Sequence, residues 1–360
     1  LNQEQLNVVE NGDGPCLVLA GAGSGKTRAI TYRVSYLLEK GVDPKNILLV
    51  TFTNKAAREM IDRVRALTGA EVRLPWSGTF HHICYRILRQ YLPLLGYKNN
   101  FTIADSGDAL DLFKLCLEQE GIDRKSRKFP SPKVLQAIVS YARNAGMLIK
   151  DVLDLKYPNW LDLGETISAL AAAYDKRKRA ANVMNFDDLL TNTNLLLKQS
   201  DRAREKLSEQ FKYVLVDEYQ DTNKIQAQIV DQLASQHKNI LVVGDDAQSI
   251  YSFRAADIEN ILGFEKTYPQ ARVFKLETNY RSTPDILNVA NDVINNNLNQ
   301  YKKELKGVLD KFSKPEVSAF ADNQEEAGYV LTRILELYDE GVALSKIAVL
   351  FRAAYHSQAL

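Results

Sequence analysis

The chain has 360 residues, of which 45% are hydrophobic and 25% charged, with a formal net charge of +1. This length predicts two or three domains, and the apolar content is sufficient for the buried cores of a soluble, globular protein. The composition therefore excludes a membrane-spanning or strongly basic chain, while a balanced charge leaves a nucleic-acid partner open.

The cysteines and the apolar runs bear on the compartment. Cys16, Cys84 and Cys116 are too few and too scattered for a disulfide framework or a zinc site, so we predict buried thiols in a reducing environment. We recognise no signal peptide, and no apolar run approaches the roughly 20 residues of a membrane span. We therefore expect a cytoplasmic protein without a membrane partner.

A glycine-rich segment, LVLAGAGSGKTRAI at residues 17–30, joins an apolar run to a helical pattern. Its three glycines let backbone N–H groups at a helix N-terminus converge on an anion, and Lys26 adds a mobile charge. The segment departs from the phosphate-binding pattern G-x-x-x-x-G-K-[ST] only at Ala20. A tight turn is the alternative, but a turn needs neither Lys26 nor Thr27. The segment predicts a nucleoside triphosphate site.

Short apolar runs alternate with helical patterns along the chain, which predicts an α/β fold with a parallel sheet and right-handed crossovers. The predicted strands are CLVLA (16–20), ILLVTF (47–52), YVLVDE (213–218), ILVVGD (240–245) and VFKLET (273–278). Helices are predicted at TRAITYRVSYLLEK (27–40) and NKAAREMIDRVRALT (54–68).

Residues 105–185 have helical periodicity and few strand signals, so they predict a helical subdomain inserted into the sheet domain. Its helical patterns are DALDLFKLCLEQEG, PKVLQAIVSYARNAG and ETISALAAAYDKRKRA. The charge run DKRKR at 175–179 is either a solvated helix face or part of a surface that binds a polyanion.

A second α/β unit is predicted after residue 276. Its helices are TPDILNVANDVINNNLNQY (283–301) and NQEEAGYVLTRILELYDEG (323–341), and its strands are EVSAFA (316–321) and KIAVLF (346–351). Two strands do not make a stable sheet of this kind. We therefore expect the chain to stop inside this domain, or the remaining strands to have been left out.

Two carboxylates, Asp217 and Glu218, end the predicted strand YVLVDE, where parallel strands deliver functional residues. Beside a phosphate loop, one acid suits magnesium, held together with the Thr27 hydroxyl, and the other suits activation of water. The alternative is an acidic turn that caps the next helix.

The strand ILVVGD is followed by polar and aromatic residues in DAQSIYSFRAAD. Gln248 is placed to sense a γ-phosphate. Tyr251 and Phe253 are candidates for stacking on bases, although both aromatic rings could instead belong to the core.

Six segments, in order, carry a family resemblance that covers essentially the whole chain. They are AGAGSGKT, TFTNKAAREM, GTFHHICYRIL, VLVDEYQDTN, VVGDDAQSIYSFRAAD and LETNYRS. Together they resemble the successive motifs of the UvrD/Rep/PcrA-type superfamily-one DNA helicases, translocases with two RecA-like domains, a family that tolerates the departure at Ala20.

The resemblance implies a P-loop NTPase fold with a RecA-like parallel sheet, an inserted helical subdomain and the start of a second RecA-like domain. The implied domains are residues 1–104 and 186–276 for the two segments of the RecA-like ATPase domain, 105–185 for the helical insert, and 277–360 for the incomplete second RecA-like domain.

The resemblance also implies ATP and Mg²⁺ as cofactors and assigns a role to each matching position. The implied catalytic residues are Lys26 on the phosphates, Asp217 on magnesium through water together with Thr27, Glu218 as general base, Gln248 as the link from γ-phosphate to DNA, and Arg281 on the γ-phosphate. Further implied nucleotide contacts are Gln5, Ala22, Gly23, Ser24, Gly25, Arg28, Arg33 near the base or sugar, and Tyr280 on adenine. For Gln5, the alternative to contacting adenine is a partner in a helix cap with Asn2, and both can hold.

Single-stranded DNA is the implied partner, together with 3′-tailed duplex DNA. The implied DNA-binding residues are Phe52, Thr53, Asn54, Thr79, Phe80, His81, Tyr251, Phe253 and Arg254. Phe253 stands where the family usually has tryptophan, so we expect a weaker stacking contact there. His81 and His82 have the alternative of being satisfied core histidines.

These assignments predict an ATP-dependent DNA helicase that moves 3′ to 5′ on single strands in DNA repair or replication, with repair or replication proteins as candidate partners. A helicase subunit of the RecB or AddA type is one alternative, which a nuclease domain beyond residue 360 would reveal. A non-catalytic ATP-binding fragment is the other. Because a further family arginine lies beyond residue 360, we expect the chain alone to hydrolyse ATP slowly.

Overall fold

Buried strands and amphipathic helices alternate along most of the chain, as the sequence predicts. The computed structural model describes residues 1–69, 72–98, 100–120 and 129–359. The strands are β1 Cys16–Ala20, β2 Ile47–Thr51, β3 Ser77–Thr79, β4 Thr102–Ile103, β5 Val183–Met184, β6 Tyr213–Val216, β7 Ile240–Gly244, β8 Arg272–Leu276, β9 Thr278–Asn279 and β10 Lys306–Gly307.

The α-helices in this part of the chain lie mostly between those strands. They are α1 Gln3–Asn11, α2 Lys26–Glu39, α3 Asn54–Thr68, α4 Phe80–Tyr91, α5 Ser106–Gln119, α6 Pro132–Ala145, α7 Ile149–Lys156, α8 Gly164–Ala180, α9 Phe186–Gln199, α10 Asp201–Gln210, α11 Lys224–Leu233, α12 Glu259–Leu262, α13 Phe264–Thr267, α14 Pro284–Ile294 and α15 Asn323–Asp339.

The main sheet has the strand order β3-β2-β6-β7-β1-β8, and every neighbouring pair is parallel. Successive residues of β1 enter different cores: Leu17 and Leu19 pack on one face of the sheet, and Cys16, Val18 and Ala20 on the other. A strand buried on both faces explains its continuous apolar run. The predicted α/β fold and the five predicted strands are confirmed.

The helices α5 to α8 share a core of their own, which includes Phe113, Leu135, Ile138 and Tyr174. The short strands β4 and β5 pair in parallel, which brings the two ends of the predicted insert together. This geometry supports an inserted helical subdomain, and its exact limits stay a prediction.

The charge run at 175–179 is only partly solvated, because Lys178 is 1% exposed. Its Nζ lies 2.5 and 2.7 Å from the two carboxylate oxygens of Asp188 on α9 and 3.1 Å from Asp175. Arg143 of α6 pairs with the same two acids. For Lys178 both sequence interpretations are wrong: it is a buried ion-pair partner that holds the insert on α9.

Contacts divide the chain into one unit of residues Leu1–Asp310 and another from Lys311 onward. The predicted strands EVSAFA and KIAVLF, both in the second unit, are not strands, because neither pairs with a neighbour in the described part of the chain. The helix predicted at 283–301 ends at Ile294. Beyond it, the side-chain amides of Asn296 and Gln300 donate to carbonyls of its last turn, which favours a turn over further helix.

The three cysteines are free and buried, as predicted. Among the described helices, none combines the length and apolar character needed to cross a lipid bilayer.

Candidate nucleotide site and nucleic-acid groove

The glycine-rich loop runs from the end of β1 to the start of α2. Gly23 and Gly25 have φ angles of +73° and +89°, a region that strongly favours glycine. The hydroxyl of Ser24 donates to the carbonyl of Gly21 at 2.8 Å, which closes the loop. No side chain in the described residues caps α2 at Gly25, so the first N–H groups of the helix remain available to an anion.

Gln5 packs directly against this loop. Asn2 and Gln5 form the reciprocal cap predicted for α1, with Gln5 N donating to Asn2 Oδ1 at 2.8 Å. The side-chain amide of Gln5 also donates to the carbonyl of Ser24 at 3.0 Å, and a Cβ on Gly25 would lie 2.5 Å from that nitrogen. The cap is confirmed, and the same side chain fixes the loop from the α1 side.

Asp217 follows β6 directly and is 5% exposed. Its Oδ1 is buried and has no hydrogen-bond partner among the described residues. Burial first, and the neighbouring Glu218 carboxylate second, raise the pKa of Asp217 to about 7, although Lys26 opposes them. A desolvated carboxylate oxygen without a partner is the kind of hard ligand that Mg²⁺ prefers, so the residues present fit a magnesium ion.

Glu218 adopts the left-handed conformation, with φ of 49°, which is uncommon for a residue with a side chain. Its Oε2 accepts hydrogen bonds from Lys26 Nζ and from Gln220 Nε2, both at 2.9 Å. The strained turn therefore brings Glu218, the predicted general base, into contact with Lys26, the predicted phosphate-binding lysine.

Gln248 is connected to Glu218 by a network of hydrogen bonds through Asp245 and Gln220. Its Nε2 donates to Asp245 Oδ2 at 2.5 Å, and Asp245 N donates to Gln220 Oε1 at 3.0 Å. Because Gln220 also binds Glu218, a continuous chain of hydrogen bonds joins Gln248 to Lys26.

The segment after β8 contacts the glycine-rich loop through one backbone and one side-chain hydrogen bond. Tyr280 N donates to the carbonyl of Gly23 at 3.0 Å, and Asn279 Nδ2 donates to the carbonyl of Ala22 at 2.5 Å. A Cβ on Gly23 would lie 2.7 Å from Arg281 Cβ. The structure thus brings Tyr280 and Arg281 to the loop.

Arg28 and Arg33 of α2, two of the predicted nucleotide contacts, differ from each other in burial and in their partners. Arg28 is exposed in the first turn, with its guanidinium 5.6 Å from the Tyr32 ring centroid. Arg33 is 1% exposed, donates to the carbonyl of Val9 at 2.7 Å and pairs with Asp13. The structure does not bring Arg33 to the loop, and the position near base or sugar implied by the resemblance has no support in this geometry.

All the predicted DNA-binding residues except Phe253 line two adjoining cavities of about 330 and 550 Å³, which together we call the groove. Both cavities are lined by Phe52, Thr53, Thr79 and His81. Asn54 lines only the larger cavity, and Phe80, Tyr251 and Arg254 only the smaller one. The groove lies where β2 and β3 end and α3 and α4 begin.

Three aromatic rings form a continuous ledge beside the groove. The Phe52 and Tyr251 centroids are 5.2 Å apart, and those of Tyr251 and Phe253 are 5.8 Å apart. The Arg254 guanidinium lies 5.5 Å from each of the last two rings. Phe253 is 65% exposed, so the interpretation of this ring as a core residue is wrong.

Phe80 and His81 differ in exposure. Phe80 is 7% exposed and belongs to the core below the sheet end, so little of its ring reaches the groove. His81 packs edge-on against Phe186, with centroids 5.9 Å apart. Burial lowers the pKa of His81 although Asp187 opposes the shift, so its ring is neutral at physiological pH.

Several groove residues were not predicted from the sequence. Asn144 of α6 donates to Asp187 at 2.8 Å and accepts from Asn223 at 2.9 Å, and all three line the smaller cavity. Phe186, 54% exposed, lines the larger one. Among these residues, only those at the start of α9 had a local sequence signal, the Asn185 cap. The others reach the groove from parts of the chain that are distant in sequence.

The strand order explains why the two sites adjoin. Strand β6 lies between β2, which ends at the groove, and β7, which is followed by Asp245; β1, which leads into the nucleotide loop, lies on the other side of β7. The turn after β6 closes with Asp221 N donating to the carbonyl of Glu218 at 3.0 Å. Glu218 contacts Lys26 while Asp221 lines the groove, so one turn touches both sites.

Comparison with known proteins agrees with this geometry. The family model for the UvrD/REP helicase N-terminal domain matches residues 1–269, and the model for the UvrD-like helicase C-terminal domain matches residues 274–360. The chain is 40% identical over 361 residues to proteins described as ATP-dependent DNA helicase PcrA from Staphylococcus aureus and Staphylococcus epidermidis. The matches cover all of this chain and 49% of each relative, so the chain spans about half the length of these curated relatives. On the match of its first 269 residues alone, the chain belongs to the UvrD/REP helicase family.

Proposed function

We propose that this chain carries the nucleotide site and part of the DNA site of an ATP-dependent DNA helicase that moves 3′ to 5′ on single strands. The observation that supports this most is the turn after β6. Glu218 at its start pairs with Lys26 at 2.9 Å, and Asp221 at its end lines the groove. A change at one site therefore reaches the other through three peptide units.

In the first step, Lys26 exchanges its partner. Without nucleotide, its ammonium is held by Glu218. The N-terminus of α2 would bind the phosphates of ATP, which would compete for that ammonium. Lys26 would then leave Glu218, whose Oε2 would keep the hydrogen bond from Gln220 and have its second position open to accept a proton from the attacking water.

Mg²⁺ would be held by Asp217 with Thr27, where it would neutralise charge on the phosphates. Gln220 keeps Glu218 in place during the exchange, because its amide donates to the same Oε2 at 2.9 Å. Tyr280 and Arg281, placed at the loop by the bond from Tyr280 N to the carbonyl of Gly23, would contact the adenine and the γ-phosphate.

Single-stranded DNA would lie in the groove with its bases on the aromatic ledge of Phe52, Tyr251 and Phe253. Such stacking is worth about 1–3 kcal/mol per base and tolerates any sequence. The N-termini of α3 and α4 favour the phosphates, whereas Asp187 and Asp221 in the groove wall repel them. The bases, rather than the backbone, would therefore face that wall.

The wider assignments are also proposals. A role in repair or replication in the cytoplasm, and 3′-tailed duplex DNA as substrate, follow from membership of the family. The PcrA descriptions of the matched relatives favour a helicase of that kind over a subunit of the RecB or AddA type. The domain limits at residues 104, 185 and 276 are supported by the separate helical core and by the family-model boundary between 269 and 274.

The first test is ATP hydrolysis with and without an oligo(dT) strand. Lys26→Ala should abolish Mg·ATP binding or turnover, while Lys40→Ala, at the far end of the same helix, should retain both. Unchanged affinity and turnover in Lys26→Ala, measured by calorimetry and a phosphate-release assay, would overturn the nucleotide assignment.

A further inference from the structure

A lysine outside the motifs is buried against the polar network of the nucleotide site. Lys303 lies between α14 and β10, and its side chain is 6% exposed. Its Nζ lies 2.6 Å from Asp245 Oδ1 and also pairs with Asp246. Both acids follow β7, and their side chains are 4% and 1% exposed.

Burial of three charged groups is costly unless their partners stay in place. Burial alone would lower the pKa of Lys303, but Asp245 and Asp246 outweigh it and raise that pKa, so the lysine remains charged. Removing the ammonium would leave two adjacent carboxylates buried and uncompensated. Asp245 is then expected to change its conformation.

Asp245 also holds two glutamines, Gln248 and Gln220, of the proposed nucleotide site. Its Oδ2 accepts the Gln248 amide at 2.5 Å, while its other oxygen takes Lys303. Its backbone N–H donates to Gln220 Oε1, and Gln220 binds Glu218. A movement of Asp245 would therefore disturb Gln248 and Glu218 together.

The segment that carries Lys303 is fixed on both sides. Tyr301 N donates to Asp246 Oδ2 at 2.9 Å. Leu305 packs so closely on the nucleotide loop that a Cβ on Gly21 would lie 2.3 Å from its Cδ2. Residues 301–305 thus connect the loop to the end of β7, which gives Lys303 a defined position.

We propose that Lys303 is a positioning residue for ATP hydrolysis: it holds Asp245, and through Asp245 it keeps Gln248 and the Gln220–Glu218 pair in the geometry that hydrolysis needs. This role rests on the proposed function. Lys303 does not contact the nucleotide, so its removal affects turnover more than nucleotide binding.

The test compares Lys303→Met with Lys302→Met in the protein expressed from its complete reading frame. Lys302 is the exposed neighbour, whose backbone carbonyl, unaffected by the substitution, accepts from Lys275. In Lys303→Met, kcat for DNA-stimulated hydrolysis should fall about 10- to 100-fold, as for other supporting contacts. KM for ATP and Kd for Mg·ADP should change by less than about threefold. Lys303→Arg should recover most of the turnover, and Lys302→Met should match the wild type.

Hydrogen exchange without nucleotide provides a readout that does not depend on hydrolysis. The amides of Gln248 and Ser249 donate to the carbonyls of Asp245 and Asp246 at 2.9 and 3.3 Å. Both should exchange about tenfold faster in Lys303→Met but not in Lys302→Met, with the strands of the main sheet unchanged.

Equal turnover per folded molecule in Lys303→Met and wild type, or unchanged exchange at Gln248 and Ser249, would overturn the positioning role. A wild-type protein that hydrolyses no ATP with or without DNA would instead refute the proposed function. In that case the exchange comparison alone decides whether Lys303 positions Gln248.

Discussion

Replacing Asp217 by asparagine should stabilise the protein in the absence of nucleotide and Mg²⁺. Burial and Glu218 raise the pKa of Asp217 from 3.8 to about 7. At 1.36 kcal/mol for each pKa unit, ionising this buried carboxyl at pH 8 costs the folded state about 4 kcal/mol. The asparagine amide, buried without a partner, costs about 1–3 kcal/mol. Asp217→Asn should therefore be more stable by about 1–3 kcal/mol at pH 8.

The gain should depend on pH. Because the folded state holds the Asp217 proton more tightly than the unfolded chain does, protonation favours folding below about pH 4, and this contribution is lost as pH rises to about 7. At pH 5 most folded wild-type molecules keep the proton, so the advantage of Asp217→Asn over wild type should shrink by about 3 kcal/mol and disappear.

Urea denaturation at pH 5 and pH 8, followed by circular dichroism, measures both differences. Asp154→Asn, a substitution of an exposed aspartate in α7, serves as the control and should change neither value. Mg²⁺ with ADP should stabilise wild type but not Asp217→Asn. A stability difference that is the same at both pH values, or a variant less stable than wild type at pH 8, would refute the account of a desolvated carboxyl.

Three further substitutions test other parts of the account. Glu218→Gln should retain ATP binding and lose hydrolysis, since the amide keeps the shape but cannot take the proton; turnover near wild type in a phosphate-release assay would contradict this. Tyr251→Ala should weaken single-stranded DNA binding about 5- to 150-fold in fluorescence anisotropy. The affinity should also fall as the salt concentration rises. The control Leu155→Ala, on the exposed face of α7, should bind the strand as tightly as wild type. Gly23→Ala should abolish nucleotide binding, because its Cβ would meet Arg281 and Asn279, whereas Gly14→Ala has the same φ of +73° in open space and should cost only about 1–2 kcal/mol of stability in thermal denaturation.

Local patterns were sufficient to predict five of the six strands of the main sheet and the nucleotide loop; the edge strand β3, with only three residues, was not predicted. The run CLVLA is buried at every position because both faces of the sheet are covered. A strand in that position requires apolar residues throughout, so its composition predicts it. Gly23, Gly25 and Lys26 were recognisable for the same reason: their backbone conformation and charge are required within a few residues. The helix predicted at 54–68 coincides with α3, which starts after a Thr53 cap and ends before Gly69.

Buried charges were the hardest feature to predict, because packing between elements buries them and composition near the residue does not show it. Lys178 is paired with Asp188 and Lys303 with Asp245, and nothing near either lysine distinguishes it from a surface residue. Arg33 was assigned by resemblance, yet its Nη1 and Nη2 are held by the Val9 carbonyl and by Asp13.

Strands also depend on distant neighbours. EVSAFA and KIAVLF have strand composition, but a strand is defined by the partner that satisfies its backbone. The groove shows the same limit, since Asn144 reaches it only because α6 of the insert packs on α9 and α11.

Strand displacement tests the central claim most directly. The measurement uses the protein expressed from its complete reading frame and a duplex with either a 3′ or a 5′ single-stranded tail, with ATP and Mg²⁺. We predict displacement from the 3′-tailed duplex alone, and none with Glu218→Gln. Displacement that needs no ATP, that persists in Glu218→Gln, or that prefers the 5′-tailed duplex would contradict an ATP-driven helicase that moves 3′ to 5′.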